Sequence, residues 1–133
     1  MTDRDEFVSA SDLARMGYCE RQVAFDASHG QRLTVEQLQQ RYGGQWVLKG
    51  AGSVVLDSTG LTVCGLGNAG MAVGGMGDVL SGLTAGLLAQ FPRYPLIEAV
   101  TLHAAAGDLA AAQGQRGMTA LDVIEQIRAV VSA

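Results

Sequence analysis

Between Gly65 and Gly77 the chain places six glycines in thirteen residues and then runs directly into an apolar stretch that begins at Asp78. No other feature constrains the fold as much. Glycine removes the Cβ and opens backbone conformations that other residues avoid, so such a run forms neither a helix nor a strand. Placed just before a helix, it also lets a ligand come close to the unpaired N–H groups of the first turn. The glycines are clustered: 13 of the chain's 18 lie between Gly43 and Gly86. They follow no three-residue period and occur with only two prolines, which excludes collagen and Pro/Gly-rich disorder. With 133 residues, 48% of them hydrophobic, the chain has the material for one domain with a buried core.

Charge and cysteine usage exclude further classes. Nine basic and 13 acidic residues give a net charge of −4, with no run of Lys or Arg. That is not the footprint of a nucleic-acid binder. No apolar run reaches the length of a membrane span, and the charged N-terminus does not read as a signal peptide. Cys19 and Cys64 stand in no metal or redox spacing, so no metal site is expected and the thiols suit a reducing, cytoplasmic setting.

The element order follows from local signals. Ser9 or Ser11 starts a helix to about Ala27, with Leu13, Met16 and Val23 on one side. Thr34-Val-Glu-Gln37 is a capping box for a second helix, which Gly43-Gly44 ends. Trp46–Lys49 and Ser53–Asp57 read as strands, with Trp46 expected in the core. Ser58-Thr-Gly60 is a hairpin turn, and Leu61–Cys64 is a third strand. After the glycine loop a helix is expected from Asp78 to Gln90. Its stripe is Val79, Leu80, Leu83, Leu87 and Phe91, with Gly82 and Gly86 permitting close packing. Pro95 fits the first position of a helix to about Gln113. Gly114 and Gly117 frame a turn. Thr119 and Asp122 cap a last helix with the stripe Leu121, Ile124, Ile127 and Val131.

Gly74, Gly75 and Met76 lead to Gly77 and Asp78, so the loop reads as an anion pocket with a carboxylate at its mouth. The bland alternative has Asp78 as the helix cap. The loop is not a P-loop, because no Lys-Ser/Thr follows its last glycine. Gly65-x-Gly67-x-x-Gly70 matches the dinucleotide fingerprint in letters only: no helix pattern opens there and no acidic residue sits near position 90. On residue type alone Lys49 is a solvated strand end, His103 a hydrogen-bonded packing residue and Asp108 a local cap or partner.

Gly67-Asn-Ala-Gly-Met-Ala72 and Gly74-Gly-Met-Gly-Asp-Val-Leu80 together resemble the signature of the ADP/ATP-dependent NAD(P)H-hydrate dehydratases, members of the ribokinase-like superfamily. Val47-Leu-Lys-Gly-Ala-Gly52, Leu102-His103 and Ala106-Gly-Asp-Leu-Ala110 resemble the same family. The resemblance implies an α/β, ribokinase-like fold, of which residues 32–133 are the C-terminal half. Residues 1–31 form a helical leader unlike the family. The chain is then a truncated product, a fusion or a partial chain. The resemblance further implies dehydration of hydrated NADH or NADPH at the expense of ADP or ATP, with Mg2+, in a homo-oligomer. Asp78 is then the general base at the substrate. Lys49, Gly50, Ala51, Gly52, Ser53 and Gly77 bind the nucleotide, and Gly74, Gly75 and Met76 line the anion pocket. Ala69, Val73 and Met76 depart from the Pro and two Thr usual in the family. Two other readings stay open: a ribokinase-like kinase of a small alcohol, and a nonenzymatic half-domain that binds nucleotide or oligomerises.

Overall fold

A computed structural model describes residues 34–132. The expected helix from Ser9 or Ser11 to Ala27, the leader 1–31 and Cys19 lie outside the described residues. Helix α1 (Val35–Tyr42) leads into strands β1 (Trp46–Leu48), β2 (Ser53–Asp57) and β3 (Gly60–Cys64). After a single 3-10 turn (Ala69–Met71) come α2 (Met76–Gln90), α3 (Leu96–Ala111) and α4 (Ala120–Val131). The fold is mixed α/β, with a three-stranded antiparallel sheet in the order β1-β2-β3.

The capping signals in the sequence form as expected. The Thr34 N–H donates to Gln37 Oε1 at 2.9 Å, and the Gln37 N–H returns to Thr34 Oγ1 at 3.3 Å. Thr119 and Asp122 make the equivalent box for α4. Each box satisfies backbone donors that a helix start otherwise leaves unpaired.

Register places Val55 opposite Val47 on one side and Thr62 on the other. Alternation puts Val55 on the same sheet face as Cys64, and there the first core forms. Val55, Cys64, Leu80, Val100 and Ala104 are buried together, with Val47, Leu96 and Ile97 packed against them. Helix α3 is the central support, touching β2, β3, the 3-10 turn, α2 and α4. A second core of Met76, Ala106, Met118 and Val123 joins the start of α2 to α3 and α4.

Several expectations are corrected. Helix α2 begins two residues early, at Met76, with Gly75 as its N-cap. Pro95 is the N-cap of α3 rather than its first residue, with ψ 131°. The α3 N-terminus takes its side-chain partner from the hairpin: the Ile97 N–H donates to Asp57 Oδ2 at 3.0 Å. Trp46 is half-buried, and its Nε1–H donates to the Gly43 carbonyl at 2.7 Å, so it closes the end of α1 instead of filling the core. On α4 the core side is Val123, Ile127 and Val130, while Leu121 and Ile124 are 69% and 47% exposed. On α2 only Met76 and Leu80 are buried, and Phe91 is exposed. No described residue approaches the space beside Gly82 or Gly86, so neither glycine serves close packing among the described residues.

Candidate functional site

The glycine loop is seated on α3 and α4. Gly70 sits so close to the turn before α4 that a Cβ there would lie 2.7 Å from the Gln115 carbonyl oxygen. A Cβ on Gly107 would run into the Met71 thioether, so the absent side chain on α3 is what lets Met71 dock. Gly75 has φ +88°, a left-handed conformation that suits glycine, and a Cβ on it would meet Ala120 of α4 at 3.1 Å. These close approaches account for Gly70 and Gly75 within the loop, whereas a Cβ on Gly65 or Gly74 would meet nothing within 4 Å.

Asp78 is the third residue of α2, within its first turn, and it is exposed. Gly75 caps the helix with no side-chain hydrogen bond, so the capping role considered for Asp78 is not the one it fills. Its exposed carboxylate thus belongs to the turn whose N–H groups a helix start leaves unpaired. Gly77 is half-buried and Gly74 is exposed. The Met76 side chain is buried in the second core, so the residue offers the helix start only its backbone. Core packing of Met76 fixes where the first turn of α2 points.

The segment Lys49–Ser53 links β1 to β2. Lys49, Gly50, Gly52 and Ser53 are half-buried and Ala51 is exposed. Strand β1 stops at Leu48, so Lys49 belongs to the turn. His103 of α3 is influenced from two stretches, by the charge of Lys49 and by a hydrogen bond with the Met76 backbone. Its imidazole is 5% exposed. Burial, then the positive charge of Lys49, push its pKa down to about 4, against an opposing hydrogen-bonding influence of the Met76 backbone. His103 is therefore neutral at ordinary pH, with Lys49 and the start of α2 both within electrostatic reach. Among the described residues its Nε2 has no hydrogen-bond partner. The expectation of a hydrogen-bonded packing histidine is met in its burial and in its hydrogen bond with the Met76 backbone, while Nε2 has no partner among the described residues. The sequence signal was its position one helical turn before Gly107, on the side of α3 that receives the loop.

Two residues that sequence reasoning left in minor roles hold the loop. Asn68 Oδ1 accepts from the Gly70 N–H at 3.0 Å, which caps the 3-10 turn. Its Nδ2 donates to the Gly107 carbonyl at 3.0 Å and to Asp108 Oδ1 at 2.9 Å. Asp108 Oδ2 accepts from the Gly67 N–H at 3.0 Å. Among the described residues no three His, Cys, Asp or Glu side chains gather as a metal site, and no helix is long and apolar enough to cross a membrane.

The described residues thus combine a glycine-capped helix start with an exposed carboxylate in its first turn, within a mixed α/β fold. The family model for NAD(P)H-hydrate dehydratase matches residues 11–129, and the chain belongs to that family. The match begins inside the segment 1–31. Among its relatives is the bifunctional NAD(P)H-hydrate repair enzyme Nnr of Vibrio cholerae, 50% identical over 103 residues, which are 74% of this chain and 20% of that protein. The Nnr enzyme of Escherichia coli is 46% identical over 101 residues, 73% of this chain and 20% of that protein. The bifunctional NAD(P)H-hydrate repair enzyme of Leishmania braziliensis is 45% identical over 100 residues, 68% of this chain and 18% of that protein. The chain thus spans about a fifth of the length of the curated relatives it matches.

Proposed function

We propose that this chain carries the nucleotide-facing part of an ADP- or ATP-dependent dehydratase acting on hydrated NADH or NADPH, within a ribokinase-like fold. The observation that carries this reading is the glycine-capped first turn of α2, which presents Asp78 to solvent, with the Lys49 charge and the Met76 backbone both acting on His103. Family membership supplies the substrate class. The residues suit a nucleotide. Lys49 offers positive charge, Gly50, Ala51, Gly52 and Ser53 offer a turn of small residues, and Gly74, Gly75 and Gly77 leave the α2 N–H groups open to a phosphate. Mg2+ would be held chiefly by the nucleotide phosphates, as that ion commonly is, leaving the Asp78 carboxylate uncoordinated.

The nucleotide supplies the phosphoryl group. Asp78 takes the proton from the substrate hydroxyl as its oxygen attacks phosphorus and the shortened nucleotide leaves; loss of phosphate together with a proton from the adjacent ring carbon then restores the ring double bond. The backbone N–H groups of the loop hold the charge that develops on the transferred group. Residues 32–133 form the family unit in this reading, since the relatives align over about that length. The match reaching back to residue 11 brings in part of the leader. A homo-oligomer and a reducing, cytoplasmic setting complete it, the latter supported by Cys64 as a buried free thiol.

The test supplies hydrated NADH with ADP and Mg2+ and follows the return of reduced-nicotinamide absorbance. Asp78→Asn is expected to slow recovery by about 100-fold or more. Undiminished recovery in that variant overturns the role given to Asp78. The same cradle would serve phosphoryl transfer to another small alcohol. Phosphorylation of such an alcohol without action on the hydrate favours that second reading, and ADP binding without turnover favours a nonenzymatic module.

A further inference from the structure

The loop that shapes the anion cradle is not held by the cradle's own residues. It is held upstream, by a pair of side chains from two elements about forty residues apart. Asn68 spends both ends of its amide: Oδ1 on the Gly70 N–H, Nδ2 on Asp108 and on the Gly107 carbonyl. Asp108 spends both carboxylate oxygens: one on Asn68, the other on the Gly67 N–H. Between these contacts Met71 packs into the space left by the missing side chain of Gly107. Further along, Gly75 lies against Ala120, and Met76 is locked in the second core. The loop is therefore pinned at its start by polar contacts and at its end by packing. The Gly74 stretch between the pins is free of close neighbours among the described residues.

We propose that Asn68 and Asp108 are positioning residues, a reciprocal amide–carboxylate clamp that sets the shape of the glycine loop and with it the geometry of the cradle at Gly74–Asp78. The clamp rests on the functional reading above only for what the cradle receives. Its chemistry is directional. An amide beside a carboxylate makes every contact described, whereas two carboxylates repel each other and two amides leave the Gly67 N–H with a weaker, uncharged acceptor. Neither residue reaches the reacting atoms, so their effect passes through the backbone of the loop. A small displacement there is costly, because misplacing a reacting group by about 1 Å costs about 100-fold in rate.

The test is hydrogen–deuterium exchange on the full chain, read on peptides covering residues 65–77, with calorimetric titration of ADP alongside. Asn68→Asp is expected to speed exchange in this loop roughly tenfold or more and to weaken ADP binding by about 10- to 100-fold. Adding Asp108→Asn rebuilds an amide facing a carboxylate with the roles reversed. The N68D/D108N chain is expected to recover part of the lost protection and affinity, since the Gly107 carbonyl stays without its donor and the Gly67 N–H faces an uncharged acceptor. Should N68D fail to fold, Asp108→Ala is read in its place, with the same expected acceleration. Loop exchange in N68D equal to the parent's overturns the clamp, as does a double variant no better than the single. Equal ADP affinity in the parent and N68D overturns the positioning role. If the parent itself does not bind ADP, the nucleotide reading of the site fails, and the exchange series alone decides the clamp.

Discussion

His103 is the residue at which fold and site are hardest to separate. Its folded pKa of about 4 lies below the ordinary 6.5, so the unfolded chain takes up the proton first as pH falls. The stability it permits is full above about pH 6.5 and is lost progressively toward pH 4, by up to about 3 kcal/mol. Melting temperature is therefore expected to decline across that window, and His103→Gln is expected to flatten the decline. An equal pH slope in both chains would show that His103 is not its source. The chemistry-bearing letters of Asp78, Lys49, Gly77 and His103 were all visible in the sequence. The influence of the Lys49 charge and the Met76 backbone on His103 was not, because it arises from tertiary packing, which no local pattern encodes. Asn68 and Asp108 escaped for the same reason: each looks like an ordinary turn or cap residue until the other is placed beside it.

At the scale of elements, the local signals carried furthest where a single turn of chain satisfies itself. Both capping boxes formed, and the hairpin closed where Ser58-Thr-Gly60 predicted it. Boundaries failed where a partner came from elsewhere. Pro95 caps α3 without a side-chain bond because Asp57 provides the acceptor from the end of β2. Asp57 is 6% exposed. Burial raises its carboxyl, but hydrogen bonds from Thr59 and from the Ile97 and Leu96 backbone outweigh it, leaving the pKa below the ordinary value. Its contribution is thus present at neutral pH and lost only as the pH falls through the acidic range. Asp57→Asn keeps the shape and removes the charge from both the Thr59 turn and the α3 N-terminus. A loss of about 1–3 kcal/mol in urea unfolding is expected, and an unchanged midpoint would remove Asp57 from the account of how α3 is anchored. Periodicity also misjudged which face of α4 is covered. Leu121, Ile124 and Val131 recur at helical spacing, yet Val123, Ile127 and Val130 face the core. Spacing identifies a stripe, but only the neighbouring elements decide which stripe is inside.

Across the whole molecule, apolar side chains remain in the open on several sides. Val63 and Leu61 of β3 are 65% and 53% exposed, Leu121 of α4 is 69% exposed, and Phe91 follows α2 at 56%. Among the described strands β3 is also an edge, with backbone groups free to pair. The expected outcome is concentration-dependent self-association in sedimentation, reduced by Val63→Lys, which places a charge on that edge. A monodisperse monomer at all concentrations contradicts it. The two polar tethers described above share a further property. Asp57 to Ile97 and Asn68 to Asp108 each join residues 40 apart. Each closes a long stretch of chain, and each stretch contains all of α2. Closing such a loop costs chain entropy before any contact repays it. The α3–α4 hairpin of helices, whose contacts are local, is therefore expected to assemble first and to serve as the template. Helix α2, with its glycine-capped start, is then expected to be drawn in late between two fastenings that form together.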